Sequence, residues 1–322
     1  MLIKQIARTT RLEEAELRRL ADNASRNYKI YEIPKRTGGT RVIAHPSREL
    51  KAIQRWITRI VINRLPVHDA ATAYKKGSGI RENAECHRTT RFTNRYDFKN
   101  FFPSFKIAEI EAFLRSEAVK VGIFLETDDI EFLGHILCRF GRLTIGAPSS
   151  PAITNAMMFS FDQRMFEHCA ARGLIYTRYA DDIFVSAHEA DKLVNIETRI
   201  AEAKRDISHL KLRLNRQKTA HLSKKFKRSI TGVIITPDHR LSIGRERKRE
   251  IKALIHRWVN GKLEGHEVHY MRGLVAFARD IEPSFEKSLQ AKYGIAAINE
   301  ILRNPELDVK HDQEFGKPDW FI

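Results

Sequence analysis

Asp181 and Asp182 stand side by side in the string Tyr179-Ala180-Asp181-Asp182, with apolar chain on both sides. Upstream runs Gly173-Leu174-Ile175-Tyr176-Thr177-Arg178 and downstream Ile183-Phe184-Val185-Ser186. Both flanks are rich in β-branched and aromatic residues, so they predict two strands joined by a two-residue Ala-Asp turn, a tight hairpin. Neighbouring acids at a buried hairpin tip repel each other and lose hydration, which costs several kcal/mol unless a cation is present. A divalent metal is the natural remedy. The plain alternative is a solvated turn, for which aspartate is equally suited.

The charge of the chain favours the first reading. Its 322 residues predict about two domain-sized units. A hydrophobic content of 42% with 30% charged residues describes a soluble globular chain. The net charge of +17 and a pI near 9.9 imply a polyanionic partner. A membrane surface would also attract such a chain, yet no apolar run approaches the roughly 18 residues of a spanning helix. The start Met1-Leu2-Ile3-Lys4 lacks the hydrophobic stretch of a signal peptide. Cys86, Cys138 and Cys169 are far apart and odd in number, which points to a reduced, cytoplasmic setting and away from a zinc site.

Periodicity supplies a coarse α+β outline. Residues 9–22 predict an amphipathic helix, and Tyr28–Pro34 and Val42–Ala44 a strand pair around the basic turn Lys35-Arg36-Thr37-Gly38-Gly39-Thr40-Arg41. Ser47 opens a helix carrying Leu50, Ile53, Trp56, Ile57, Ile60 and Val61 on one face. A basic glycine loop at 75–79 precedes a polar helix from Glu82 to Thr90, and 92–98 alternates like a strand. Two helices fill 107–140, one spans Ala152–Ala171, and another spans 189–211. Strands flank Thr231-Gly232 and cover Leu241-Ser242-Ile243. Residues 246–258 place Ile251, Leu254, Ile255 and Trp258 at helical spacing among Arg245, Arg247, Lys248, Arg249 and Lys252. Trp258 and Tyr270 read as core.

Metal-assisted phosphoryl transfer uses two Mg²⁺ roughly 3.5–4 Å apart. Mg²⁺ takes oxygen ligands and few protein carboxylates, because substrate phosphates complete its octahedron. Two carboxylates on one hairpin cannot easily bridge both ions, so a third should arrive from a neighbouring strand. Asp97 is the candidate, where Arg91–Tyr96 meets Phe98-Lys99-Asn100-Phe101-Phe102-Pro103-Ser104. A capping or solvated acid is the alternative for Asp97 taken alone.

Asp97-Phe98 with Phe101-Phe102-x-Ser104, then Gly146-x-Pro148-x-Ser150-Pro151, then Tyr179-Ala180-Asp181-Asp182 resembles the ordered palm motifs of a reverse transcriptase. Asn83-Ala84-x-x-His87 and Ile230-Thr231-Gly232 are similar to the N-A-x-x-H and V-T-G patterns of bacterial retron reverse transcriptases. The resemblance covers roughly residues 28–260. It implies Asp97, Asp181 and Asp182 as the catalytic acids, with Phe98 beside them at the metals. It implies Phe102 beneath the sugar of an incoming dNTP, against simple core packing, and Lys218 as proton donor to pyrophosphate, against a solvated lysine. Arg41 and Lys35 are placed on the basic hairpin to grip the triphosphate, or else are exposed surface charges. Ile145, before Gly146, stands where that family usually has Gln near the nucleotide's sugar. Either Thr144 substitutes, or nucleotide affinity and fidelity differ from the family norm. Asn83, His87, Thr231 and Gly232 are implied in RNA recognition. Arg245 and Arg249 lie on a basic helix face suited to a phosphate backbone, or to plain solvation.

The expected fold is thus α+β, a right-hand polymerase of fingers, palm and thumb with an antiparallel palm sheet. An N-terminal helix and fingers occupy 1–96, the palm 97–104 and 146–235 around a fingers/palm insertion at 105–145, and the thumb and C-terminal segment 236–322. The resemblance implies an RNA-directed DNA polymerase with two Mg²⁺ and dNTPs as substrates. Its template and primer would be a cognate structured noncoding RNA, primed from an internal guanosine 2′-hydroxyl to give a branched RNA–DNA product. It also implies phage defence with an effector protein, and no membrane partner. The rival readings are another bacterial reverse transcriptase, of group II intron or diversity-generating type, and a non-catalytic RNA-binding scaffold.

Overall fold

The computed structural model describes residues 2–34, 38–223, 225 and 227–303. Lys35, Arg36 and the segment from Asn304 onward lie outside the described residues. The chain divides into two compact units, the first made of Met1–Lys76 with Asn94–His221, the second of Gly77–Thr93 with the chain from Leu222. Among the described residues no helix is long and apolar enough to cross a membrane.

The first unit begins with α1 (Leu2–Thr10) and α2 (Glu14–Asp22). The single helix expected over 9–22 is broken because Arg11 adopts a left-handed φ of 60°. Strands β1 (Tyr28–Pro34) and β2 (Thr40–Pro46) pair antiparallel from Tyr28↔Pro46 to Pro34↔Thr40. The Ser47 hydroxyl then accepts the Leu50 N–H at 3.3 Å and caps α3 (Arg48–Ile60). Leu50, Ile53 and Ile57 on that helix are fully buried, each stabilising the fold by about 1.5–3 kcal/mol.

The chain next makes α4 (Ile80–Cys86) in the second unit and returns through β3 (Phe92–Lys99). Helices α5 (Ile107–Glu117) and α6 (Thr127–Leu137) follow. Buried Asp129 on α6 accepts the N–H groups of Leu2 and Ile3, tying the first turn of α1 to the helical layer. The expected Ala152–Ala171 helix is α7 (Ser150–Met157) and α8 (Phe159–Ala170), divided at Met158. Strands β4 (Ile175–Tyr179) and β5 (Asp182–Ala187) form the predicted hairpin, with Tyr179 opposite Asp182. Of the long helix expected over 189–211 only α9 (Ile196–Ala203) is α-helical. Asn195, at φ 64°, starts it and a 3₁₀ turn over Lys204–Ile207 ends it. The apolar seam survives that break, since Leu193, Ile196, Ile200, Ile207 and Leu210 are all buried. Strands β6 (Arg213–Leu214) and β7 (Ala220–Ser223) complete a sheet of order β4-β5-β3-β6, with β7 also pairing with β3.

In the second unit β8 (Arg228–Ile230), β9 (Val233–Ile235) and β10 (Leu241–Ser242) form an antiparallel sheet against which α4 packs. Helices α10 (Arg245–Val259), α11 (Gly265–Ile281), α12 (Pro283–Tyr293) and α13 (Ile295–Arg303) pack in succession beyond it.

Candidate active site

The end of β3 and the β4–β5 turn meet at the predicted carboxylates. The Phe98 N–H donates to the Asp181 carbonyl at 3.0 Å, and the Asn215 N–H donates to the Asp97 carbonyl at 2.7 Å. Main-chain bonds thus place Asp97 beside the hairpin tip. Ala180 takes a φ of 55° at the first turn position, where glycine is the unstrained residue. Arg178 holds it there: its Nη1 donates to the Ala180 carbonyl at 3.0 Å and to Asn155 Oδ1 at 3.1 Å. The guanidinium is fully buried and forks onto equally buried Asp162, Nε to Oδ1 at 2.8 Å and Nη2 to Oδ2 at 2.6 Å. The Tyr176 hydroxyl donates to the same carboxylate at 2.7 Å.

The electrostatics of the tip call for a cation. Burial raises the Asp181 carboxyl above its ordinary range, and the nearby Asp97 charge adds to the rise. Asp182 is pushed up to about 7, chiefly by burial, with Arg95 opposing and Asp181 and Asp97 reinforcing the shift. Arg95 Nε lies 3.2 Å from Asp182 Oδ1, but the angles fail for a hydrogen bond and both atoms stay buried and unbonded. Asp97 is 3% exposed and its Oδ2 takes the Lys218 ammonium at 2.7 Å. Among the described residues no group of three or more His, Cys, Asp or Glu side chains is arranged to hold a metal ion. An all-oxygen donor set with few carboxylates nevertheless fits a hard divalent ion whose remaining positions belong to substrate. The buried, unbonded Asp182 oxygen supports that fit. Phe98 turns its side chain into the core against Phe101 and Phe161, so only its main chain is available here.

The nucleotide candidates fall in the same unit. Exposed Arg41 on β2 is close enough to offset the rise at Asp181. Phe102 is half-buried, edge-on to Phe101 at 5.4 Å. The Ala44 N–H donates to the Ile145 carbonyl at 2.8 Å, and Gly146 sits at φ 112°, where a Cβ would lie 2.7 Å from the Ala44 carbonyl oxygen. Only glycine tolerates both constraints. Ile145 is half-buried, and the Thr144 hydroxyl is buried beside the Tyr28 phenol.

Tyr74 escaped the sequence reading. It adopts a φ of 58°, is 56% exposed, and its ring lies 6.4 Å from that of Tyr179. The available signal was an aromatic opening the basic glycine loop Lys75–Gly79.

In the second unit Asn83 and His87 are both fully buried. Burial, helped by the Arg228 charge, pushes His87 down to about 3, so the ring is neutral. Asn83 Nδ2 donates to Thr231 Oγ1 at 3.4 Å, and that hydroxyl donates to the Ile80 carbonyl at 3.3 Å. Thr231 and Gly232 take φ of 48° and 85°, the double left-handed turn that lets Ile230 face Val233. The two motifs therefore meet each other and brace α4 against the β8–β9 hairpin. Arg245 and Arg249 are exposed, one turn apart on α10. Tyr270, expected in the core, is 54% exposed, with its hydroxyl donating to Glu250.

The family described as reverse transcriptase (RNA-dependent DNA polymerase) matches residues 33–256. The retron Ec83 reverse transcriptase of Escherichia coli is 37% identical over 89% of this chain and 93% of its own. The retron Ec86 reverse transcriptase of the same species is 30% identical over 92% of each. Among solved structures, Candida albicans telomerase in complex with a fragment of telomeric RNA covers 94% of this chain and 65% of its own. Its TM-score is 0.49 and its identity 14%, too distant to inform any residue. Family match and identity, taken along nearly the whole chain, show that it belongs to the retron reverse transcriptases, RNA-directed DNA polymerases of the right-hand fold.

Proposed function

We propose that the enzyme copies part of a cognate structured noncoding RNA, starting from an internal guanosine 2′-hydroxyl and leaving a branched RNA–DNA product. The observation that carries the polymerase part of this reading is the joining of Asp97 to the Ala180–Asp182 turn through the Phe98–Asp181 hydrogen bond, while membership of the retron family supports the RNA-primed part. Asp97 and Asp181 would hold two Mg²⁺, with Asp182 in support, and those ions supply charge neutralisation and activation of the attacking hydroxyl. Lys218, whose ammonium donates to Asp97 Oδ2, would pass a proton to departing pyrophosphate. Arg41 binds triphosphate oxygens, and Phe102 excludes a 2′-hydroxyl. Fingers fall before Asp97 and in 105–145, palm in 97–104 and 146–235, and thumb beyond 236. Recognition of structured RNA by shape and backbone suits the exposed cations of α10. We further propose that the product serves phage defence together with an effector protein.

Expression with flanking DNA, followed by sequencing of the copurified nucleic acid with and without debranching enzyme, tests the priming. The expected result is one discrete DNA joined to RNA through a 2′–5′ link and absent from Asp181→Asn. Generic extension without a branch would retain the polymerase and reject 2′ priming. RNA without DNA, and no extension with Mg²⁺, would reject both. In the purified enzyme Phe102→Ala is expected to raise ribonucleotide incorporation relative to dNTP by roughly tenfold or more. An unchanged ratio in single-nucleotide assays would remove the steric role.

A further inference from the structure

Beyond α6 the chain reverses in a two-residue turn. The Arg139 N–H donates to the Arg142 carbonyl at 2.8 Å and the Arg142 N–H returns to Arg139 at 3.2 Å. Between them Phe140 and Gly141 take φ of 49° and 71°. A turn with both central residues left-handed ordinarily carries Asn-Gly or Asp-Gly. A bulky aromatic at the first position is strained. The strain is not offset by burial: the Phe140 ring is 66% exposed. Its N–H donates to Ser25 Oγ at 2.8 Å, which pins the backbone, and the Arg139 guanidinium lies 4.6 Å from the ring centroid.

The same turn is fastened to the nucleotide candidates. Arg142 Nη1 donates to the Pro103 carbonyl at 3.0 Å, next to Phe102. The Leu143 N–H donates to Phe105, and two residues later the Ile145 carbonyl takes the Ala44 N–H. A rigid, exposed aromatic backed by a guanidinium is the chemistry that stacks an unpaired base, which needs a π face and a nearby cation. We infer that Phe140, with Arg139 and Arg142, forms a stacking platform for an unpaired base of the RNA template ahead of the copying point. This rests on the polymerase reading for the identity of the strand.

The test separates the two by using Asp181→Asn protein, in which no chemistry occurs. An RNA template carrying 2-aminopurine at successive positions of its single-stranded 5′ extension is annealed to a DNA primer. Fluorescence should be quenched at one or two adjacent positions, restored in Phe140→Gly, and quenched again in Phe140→Tyr. Phe140→Gly should bind the extended template roughly fivefold or more weakly. It should bind a blunt duplex unchanged and melt at a higher temperature, because glycine relieves the left-handed strain. A gain in stability with a loss of affinity excludes misfolding. Quenching that survives Phe140→Gly, or equal loss on blunt and extended duplexes, would overturn the platform. Failure of the Asp181-intact enzyme to extend, with quenching intact, would reject the polymerase reading and leave a single-stranded RNA site.

Discussion

Asp181→Asn is expected to slow single-nucleotide incorporation by at least about a thousandfold, because a metal contact contributes several kcal/mol and each 1.36 kcal/mol is tenfold. The same substitution should raise the melting temperature of the protein in EDTA. Asp181 and Asp182 both have folded-state carboxyls raised above their unfolded values, Asp182 from 3.8 to about 7. A raised acid contributes stability while protonated and loses it as pH rises toward the folded pKa. For Asp182 that loss runs from about pH 4 to about pH 7. Replacing Asp181 removes one ionising group and relieves its repulsion of Asp182. The gain in melting temperature should therefore be larger at pH 7.5 than at pH 5, and melts at the two values check it. Retained incorporation, or a lower melting temperature throughout, would refute the assignment.

Asp162→Asn is expected to cost about 3–5 kcal/mol in urea denaturation, the ordinary penalty for leaving a buried charge without its partner. Arg178 would keep its guanidinium in a fully buried site without a countercharge, since an amide oxygen at position 162 can still accept one hydrogen bond but carries no negative charge. Converting both partners, Arg178→Met with Asp162→Leu, should recover much of that stability because no charge then remains inside. Activity should not recover with it. The Ala180 carbonyl loses its anchor, and loss of such a supporting contact typically costs 10- to 100-fold. A double variant as stable and as active as the starting enzyme would show that Arg178 serves the fold alone.

That pair also shows where the sequence stops being informative. The hairpin at 175–187 is legible because its determinants are local: β-branched and aromatic alternation on each side of two residues. Ser47 is legible for the same reason, its cap reaching only to Leu50. Asp97, Asp181 and Asp182 could be grouped because metal chemistry demands a third carboxylate. Arg178, by contrast, reads as an ordinary strand residue until α8 is folded over β4 and supplies Asp162. Tyr74 is marked chiefly by a left-handed backbone that tyrosine chemistry does not announce. Asn83 and His87 carry the right residue types at helical spacing, yet burial depends on what packs over the helix, and spacing alone cannot report it. The spacing over 189–211 predicts one long helix because an apolar period near 3.6 persists through the 3₁₀ turns that interrupt it.

The excursion of Gly77–Thr93 into the second unit has a consequence for how the protein is made. Asn83 leaves the ribosome 148 residues ahead of Thr231, and Thr90 leaves 138 residues ahead of Arg228, which donates to its carbonyl. At about 5–20 residues per second, α4 waits roughly 7–30 s for the strands that cover it. During that interval Asp97, Asp181 and Asp182 are all synthesised, so every acid of the carboxylate tip leaves the ribosome before the strands that cover Asn83 and His87.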